Sequence, residues 1–123
     1  MTEHDWRQIA TEESETVRAI VSASGNANGR LLVDDLDGAL VRNEAAWILD
    51  IKVPSANVAR AVLPDGPFPV RAFVTENGNY QGEIIVWVTD GRVSGLEYAW
   101  VSDEPPTRWP RREEMELVPQ DGL

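Results

Sequence analysis

The side chains equipped for acid–base or nucleophilic chemistry are sparse in this sequence. It holds one histidine, His4, one lysine, Lys52, and no cysteine. A serine or cysteine nucleophile needs a base beside it, oriented by a third group. His4 lies in an acidic, polar N-terminal stretch and reads as a solvated residue. Neither disulfides nor thiolate metal sites are available.

Two other runs invite a chemical reading. Asp34-Asp35-Leu36-Asp37-Gly38 gathers carboxylates before a glycine, and Glu44 stands where an EF-hand Ca²⁺ loop would close. The ligand alternation of such a loop is broken at Val33 and Leu36, so the run reads as a solvated helix end. Gly25-Asn26-Ala27-Asn28-Gly29 follows no strand and lacks the lysine of a phosphate-cradling loop, so it reads as a linker. No catalytic, cofactor-binding or metal-ligating residue is assigned, and no cofactor is expected.

What remains is a candidate binding surface: Arg71, Glu97, Tyr98, Trp100, Asp103, Glu104 and Trp109. Arg71 and Glu97 are expected to approach each other across Ile84, as an ion pair. Aromatic residues and arginine are enriched at the centres of protein interfaces, although a plain hydrophobic core accounts for the same aromatics.

The elements that would position these residues centre on residues 83–101. Two runs rich in β-branched and aromatic residues flank Asp90-Gly91, a strong hairpin signal. A type I′ turn matches strand twist and needs positive φ at both central residues, which Asp and Gly tolerate. A two-residue loop pairs Thr89 with Arg92 and Val88 with Val93, and continues to Ile85 with Leu96 and Glu83 with Tyr98. A three-residue loop would set Glu83 against Glu97, a like-charge pair. The two-residue register puts Ile85, Trp87, Leu96, Tyr98 and Trp100 on one face, and Ile84, Val86, Val88, Val93, Ala99 and Val101 on the other. Both faces are apolar, so both are expected to be covered, the second by more chain or a partner subunit.

Upstream, Trp6, Ile9, Ala10, Val17, Ile20 and Val21 recur at helical spacing, giving a helix over residues 11–24, with Asp5 as an earlier candidate cap. Residues 30–38 are ambiguous between helix and strand, and a short helix ending at Gly38 is favoured. Residues 39–42, 47–53 and 69–75 read as strands, with Asn77-Gly78 as a second hairpin turn that pairs Phe73 with Gly82 and Arg71 with Ile84. Residues 55–67 mostly connect. Pro105, Pro106 and Pro110 mark an extended arm that Trp109 packs back onto the body. Pro110 suits the first position of a last short helix through Leu117, and residues 119–123 are a tail.

The expected fold is α+β, a single domain over residues 1–123 with a core from about residue 5 to 117. An N-terminal helix and a short second helix pack on a four- to five-stranded, mainly antiparallel sheet, followed by the Pro-rich arm. The net charge of −10 opposes backbone-driven nucleic-acid binding and anionic membranes. No apolar run approaches the length of a span. A cytoplasmic location is expected.

The runs Gly82–Val88, Asp90–Tyr98, Asp103-Glu104-Pro105-Pro106 and Trp109-Pro110 resemble a group of small uncharacterised bacterial proteins. These end in a strand, an Asp-Gly turn, a Leu-Glu strand and an acidic Pro-Pro tail. The resemblance covers the last third of the chain. Some members carry a Cys-rich stretch where this sequence has Asn43-Glu44-Ala45-Ala46, so no metal or thiol role carries over. The group has no assigned activity, and the resemblance implies a fold alone.

The function expected from the sequence is a non-catalytic protein-interaction module, of the acidic inhibitor or immunity type, with a basic partner protein or a second copy of itself. The alternative is a small-molecule binder or enzyme with a pocket of Glu97, Arg71 and Tyr98.

Overall fold

The computed structural model describes residues 6–54 and 59–120. The chain forms β1 (Arg7–Gln8), α1 (Thr11–Ser22), α2 (Ala27–Asp35), β2 (Leu40–Ala45), β3 (Ile48–Lys52), β4 (Gly66–Pro67), β5 (Val70–Glu76), β6 (Asn79–Thr89), β7 (Arg92–Trp100) and β8 (Met115–Pro119). The fold is α+β, and the described residues form one antiparallel sheet of eight strands, not four or five. The order across the sheet is β1-β2-β3-β7-β6-β5-β8, with β4 also on β6. Phe68 N–H donates to the Val86 carbonyl at 2.7 Å, so β4 and β5 run as one interrupted strand along β6.

Three of the extra strands fall where the sequence pointed elsewhere. Arg7–Gln8 pairs with Val41 and Leu40, and α1 starts only at Thr11, after Ala10. An Asp5 cap falls outside the described residues. The helix expected after Pro110 is instead one 3₁₀ turn, Arg112–Glu114, followed by β8 on the edge of β5. Met115 is buried and Leu117 packs against the core, an alternation that suits a strand, and Pro119 is tolerated because β8 is an edge. β4 lies in the stretch read as connecting. Residues 101–110 contain no regular element.

Both hairpin turns form as expected. Asn77 and Gly78 have φ of 52° and 79°, and Asp90 and Gly91 have 53° and 72°. In each case the central pair has the positive φ of a type I′ turn. The register changes further from the turns. Thr89 pairs with Arg92 and Val88 with Val93, but Trp87 then faces Gly95, Val86 faces Leu96 and Ile84 faces Tyr98. One extra residue in β7 forms a bulge, and side chains beyond it change face. Leu96 and Tyr98 therefore join Ile84, Val86, Val88 and Val93 in the core, while Ile85, Trp87, Glu97 and Ala99 lie half-buried on the opposite face. The pairing of Ile85 with Leu96 and of Glu83 with Tyr98 does not occur. A second bulge follows in β6: Val74 pairs with Gly82, Thr75 with Tyr80, and Phe73 with Glu83 rather than Gly82.

The helices close the core from one side. Val17, Ile20 and Val21 of α1 and Leu32 of α2 are fully buried with Val41, Leu49, Ala72, Ile84, Val86 and Leu96. α2 begins inside the expected linker because the Asn26 side chain accepts from the Asn28 N–H at 2.8 Å and caps it. The two helices touch closely at Gly29, where an added Cβ would lie 2.2 Å from the Val21 carbonyl oxygen. Asp35, 4% exposed, is drawn out of the expected solvated acidic run. It accepts from Arg92 Nη1 at 2.8 Å and from Val93 N–H at 3.3 Å, tying the end of α2 to β7. The other face of the sheet has no helix on it among the described residues. Phe73, Ile85 and Trp87 lie there half-buried beside Arg71, Glu83 and Glu97.

The bulged register has a direct energetic signature. Leu96→Ala is expected to cost about 2–5 kcal/mol, the range for a truncated core leucine. Ile85→Ala on the open face is expected to cost about 1 kcal/mol. Urea unfolding of both variants checks this, and equal losses would mean that the two side chains share one face.

Candidate functional site

A groove with a volume of about 680 Å³ lies between the outer side of α1 and residues 108–113. Its two walls are fixed by different means. At the start of α1, Ala10 has no side-chain oxygen to offer the helix. Glu13, 6% exposed, instead reaches back to the Ala10 N–H at 2.9 Å and takes both arms of Arg7 at 2.9 and 2.8 Å. Burial alone would raise the Glu13 pKa, but the bonds from Arg7 and Ala10 and the attraction of Arg7 hold it below its ordinary value. Arg7 also donates to Asn43 Oδ1 at 3.1 Å, which locks the helix start to β2.

From there the helical repeat places Glu12, Glu15, Ala19 and Ser22 along one wall, with Arg18 at its edge. Thr16 Oγ1 lies 3.0 Å from the Glu12 carbonyl and 3.2 Å from that of Pro110, and can donate to one at a time. It joins the helix to the opposite wall.

That second wall rests on Trp109, 6% exposed. Its ring meets Trp47 edge-on at 5.2 Å and Tyr98 at 6.1 Å, and Trp47 meets Tyr98 at 5.9 Å. Such aromatic contacts add to simple area burial. Beside it Arg108 grips Glu114 with two bonds of 2.7 Å and Glu76 with one of 2.8 Å. Glu114 also accepts from the Arg111 N–H at 2.9 Å, closing the 3₁₀ turn. The Arg108 side-chain bonds, then the Arg111 backbone bond, hold the Glu114 pKa down to about 2, and Glu114 in turn raises that of Arg108.

The residues singled out in the sequence are scattered around this frame. Tyr98 and Trp109 come together beneath the groove, and burial raises the Tyr98 pKa. Arg71 and Glu97 sit on the open sheet face and do not meet. Arg71 instead pairs with Glu83, with Nε 3.1 Å from Oε1, and Glu97 accepts from Trp87 Nε1 at 3.1 Å. Arg71 lands on Glu83 because the β6 bulge brings Phe73 opposite Glu83. Trp100, 39% exposed, lies opposite Gly82, and Asp103 and Glu104 are exposed. Glu97 and Tyr98, adjacent on one strand, face opposite sides of the sheet.

Arg18, Arg111 and Arg112 were not singled out. Their sequence signal is the cluster Arg108, Arg111 and Arg112 in a chain with ten arginines and far more carboxylates. Among the described residues no group of His, Cys, Asp or Glu could hold a metal ion, and Asp35 is engaged with Arg92. Nor is any described helix long and apolar enough to cross a membrane.

The Arg108–Glu114 tie has a pH signature. Because the folded pKa of Glu114 is depressed, the pair's contribution to stability is fully present above about pH 4.5, the carboxyl's ordinary pKa, and is lost as pH falls towards about 2. Glu114→Gln is expected to lower stability at neutral pH and to flatten the fall between those limits. Thermal unfolding from pH 7 to 2 checks this, and parallel curves for variant and parent would show that the pair contributes nothing.

Neither protein-family models nor comparison with curated proteins and solved structures finds a match to this chain.

Proposed function

We propose that this chain is a non-catalytic protein-interaction module that takes a segment of a partner protein into the groove between α1 and residues 108–113. The observation that carries this is the make-up of the walls. Apolar Ala19, Trp109 and Pro110 stand beside charged side chains of both signs, Glu12, Glu15 and Glu113 on one hand and Arg18, Arg111 and Arg112 on the other. Ligand sites combine an apolar lining with a few placed polar groups, and a volume of several hundred Å³ is in their range. The carboxylates with displaced pKa values, Glu13 and Glu114, are engaged in ion pairs that hold the walls in place. They are positioned as structural groups and not as acids or bases facing a substrate.

The partner class follows from charge. A surface with a formal net charge of −10 attracts a basic protein over distance and repels nucleic acid. An acidic inhibitor or immunity-type protein has this character. The alternative site of Glu97, Arg71 and Tyr98 has its three side chains spread over both faces of the sheet, and no observation favours it.

The test is affinity capture with the full chain at low and high salt, alongside Ala19→Trp and Ser22→Trp, which place an indole in the groove, Ser22 from an exposed position and Ala19 from one packed in part against the core. A basic partner held at low salt, weakened by high salt and lost with either variant is expected. A partner retained equally by both variants would move the docking site elsewhere, and absence of any partner would sink the proposal.

A further inference from the structure

We propose that the groove holds an oxyanion, a single carboxylate or phosphate on the docked segment, at Arg18, Arg111 and Arg112. It rests on the groove being the docking site. The observation behind it is how the arginines are satisfied. Arg7, Arg42, Arg60, Arg71, Arg92 and Arg108 each make an ion pair with a carboxylate. Among the described residues the side chains of Arg18, Arg111 and Arg112 make neither an ion pair nor a hydrogen bond. Arg30, on α2, is among the described residues the one other arginine without a carboxylate partner, so three of the four such arginines border one groove.

Acid is not lacking nearby. Glu12, Glu15 and Glu113 line the same walls, yet none closes on a guanidinium. The helix holds Glu12 and Glu15, the 3₁₀ turn holds Glu113, and both backbones are pinned by Thr16, Glu13 and Glu114. The guanidinium fork matches the oxygens of a carboxylate or phosphate and forms short charge-assisted bonds with them. The glutamates decide what carries that group. They repel an extended polyanion and accept cations, so the ligand is one oxyanion set in a neutral or basic segment. That agrees with a basic partner drawn by the net charge of the whole chain.

The experiment is an NMR titration of the full chain with inorganic phosphate and, separately, with acetate, following the backbone amides of residues 15–19 and 109–113. These amides are expected to shift saturably with at least one of the two anions, and the stronger probe identifies the group as phosphate or carboxylate. The variant Arg18→Gln/Arg111→Gln/Arg112→Gln changes only exposed side chains. It is expected to lose about tenfold or more in affinity, as charge-assisted bonds are removed. Arg30→Gln, at the remaining arginine without a partner, lies on α2 and is expected to bind as the parent does. No saturable shift with either anion, or an equal loss in Arg30→Gln, overturns the proposal. Partner capture depends on the groove's shape through Ala19 and Ser22, whereas the titration contains no partner, so failure of one is distinguishable from failure of the other.

Discussion

Side chains on a strand alternate with a period of two, so one added residue reverses everything beyond it. The bulge at Ser94 and Gly95 does this to β7. Without it Leu96 and Tyr98 would turn to the open face beside Trp87, and Glu97 would turn under the helices. Burying that carboxylate with no cation beside it would be costly. With the bulge, Leu96 is fully buried and Glu97 accepts from the Trp87 indole. Gly95 makes the geometry feasible, since a Cβ there would come within 3.1 Å of the Leu49 carbonyl oxygen and 3.3 Å of the Trp87 ring. Tyr98, brought inward by the same shift, supplies the ring on which Trp47 and Trp109 assemble. The second wall of the groove therefore depends on a residue inserted several positions away in a strand.

The other elements are placed by ion pairs, of which Asp35–Arg92 and Glu76–Arg108 join parts of the chain distant in sequence. Arg7 with Glu13 fixes the start of α1, Asp35 with Arg92 fixes the end of α2, and Arg108 with Glu76 and Glu114 fixes the segment before β8. Pairs of this kind recover their desolvation cost only in good geometry, so their main effect here is to specify position. The Arg92 Nε, buried without a partner, shows that even the most enclosed pair is not fully satisfied. Each pair also removes one arginine from the set able to meet a ligand.

Much of the fold was legible because its signals are local. Asp90-Gly91 and Asn77-Gly78 dictate turns through their tolerance of positive φ, and the spacing of Val17, Ile20 and Val21 dictates a helix facing a core. The bulges were harder to see, since Gly95 and Gly82 were their only marks. Gly82 has a φ of 139°, and a Cβ there would lie 2.3 Å from the Ala99 carbonyl oxygen. Glycine inside a strand signals such a departure but does not say in which strand the register slips. β1 and β8 were misread because their pairing is with distant strands, which no local pattern records. The groove was hidden for the same reason. Its walls are a helix near the N-terminus and an irregular segment about ninety residues later, joined at Thr16 and Pro110. Only Trp109 belonged to both the expected surface and the observed site.

An acidic chain that keeps three arginines free in one groove presents two electrostatic signals at different ranges. At physiological ionic strength the screening length is about 8 Å, so net charge governs the approach of a partner and adjacent charges govern what fits on contact. The long-range field favours basic proteins. At contact Glu12, Glu15 and Glu113 favour cations, while on our proposal Arg18, Arg111 and Arg112 take an oxyanion among them. A basic surface without that anion would leave three guanidiniums facing its own positive charge. A polyanion would be repelled before it arrived. On the proposed reading the two ranges together select a narrower class of partner than either sign of charge does alone, which is how a small interaction module would be specific.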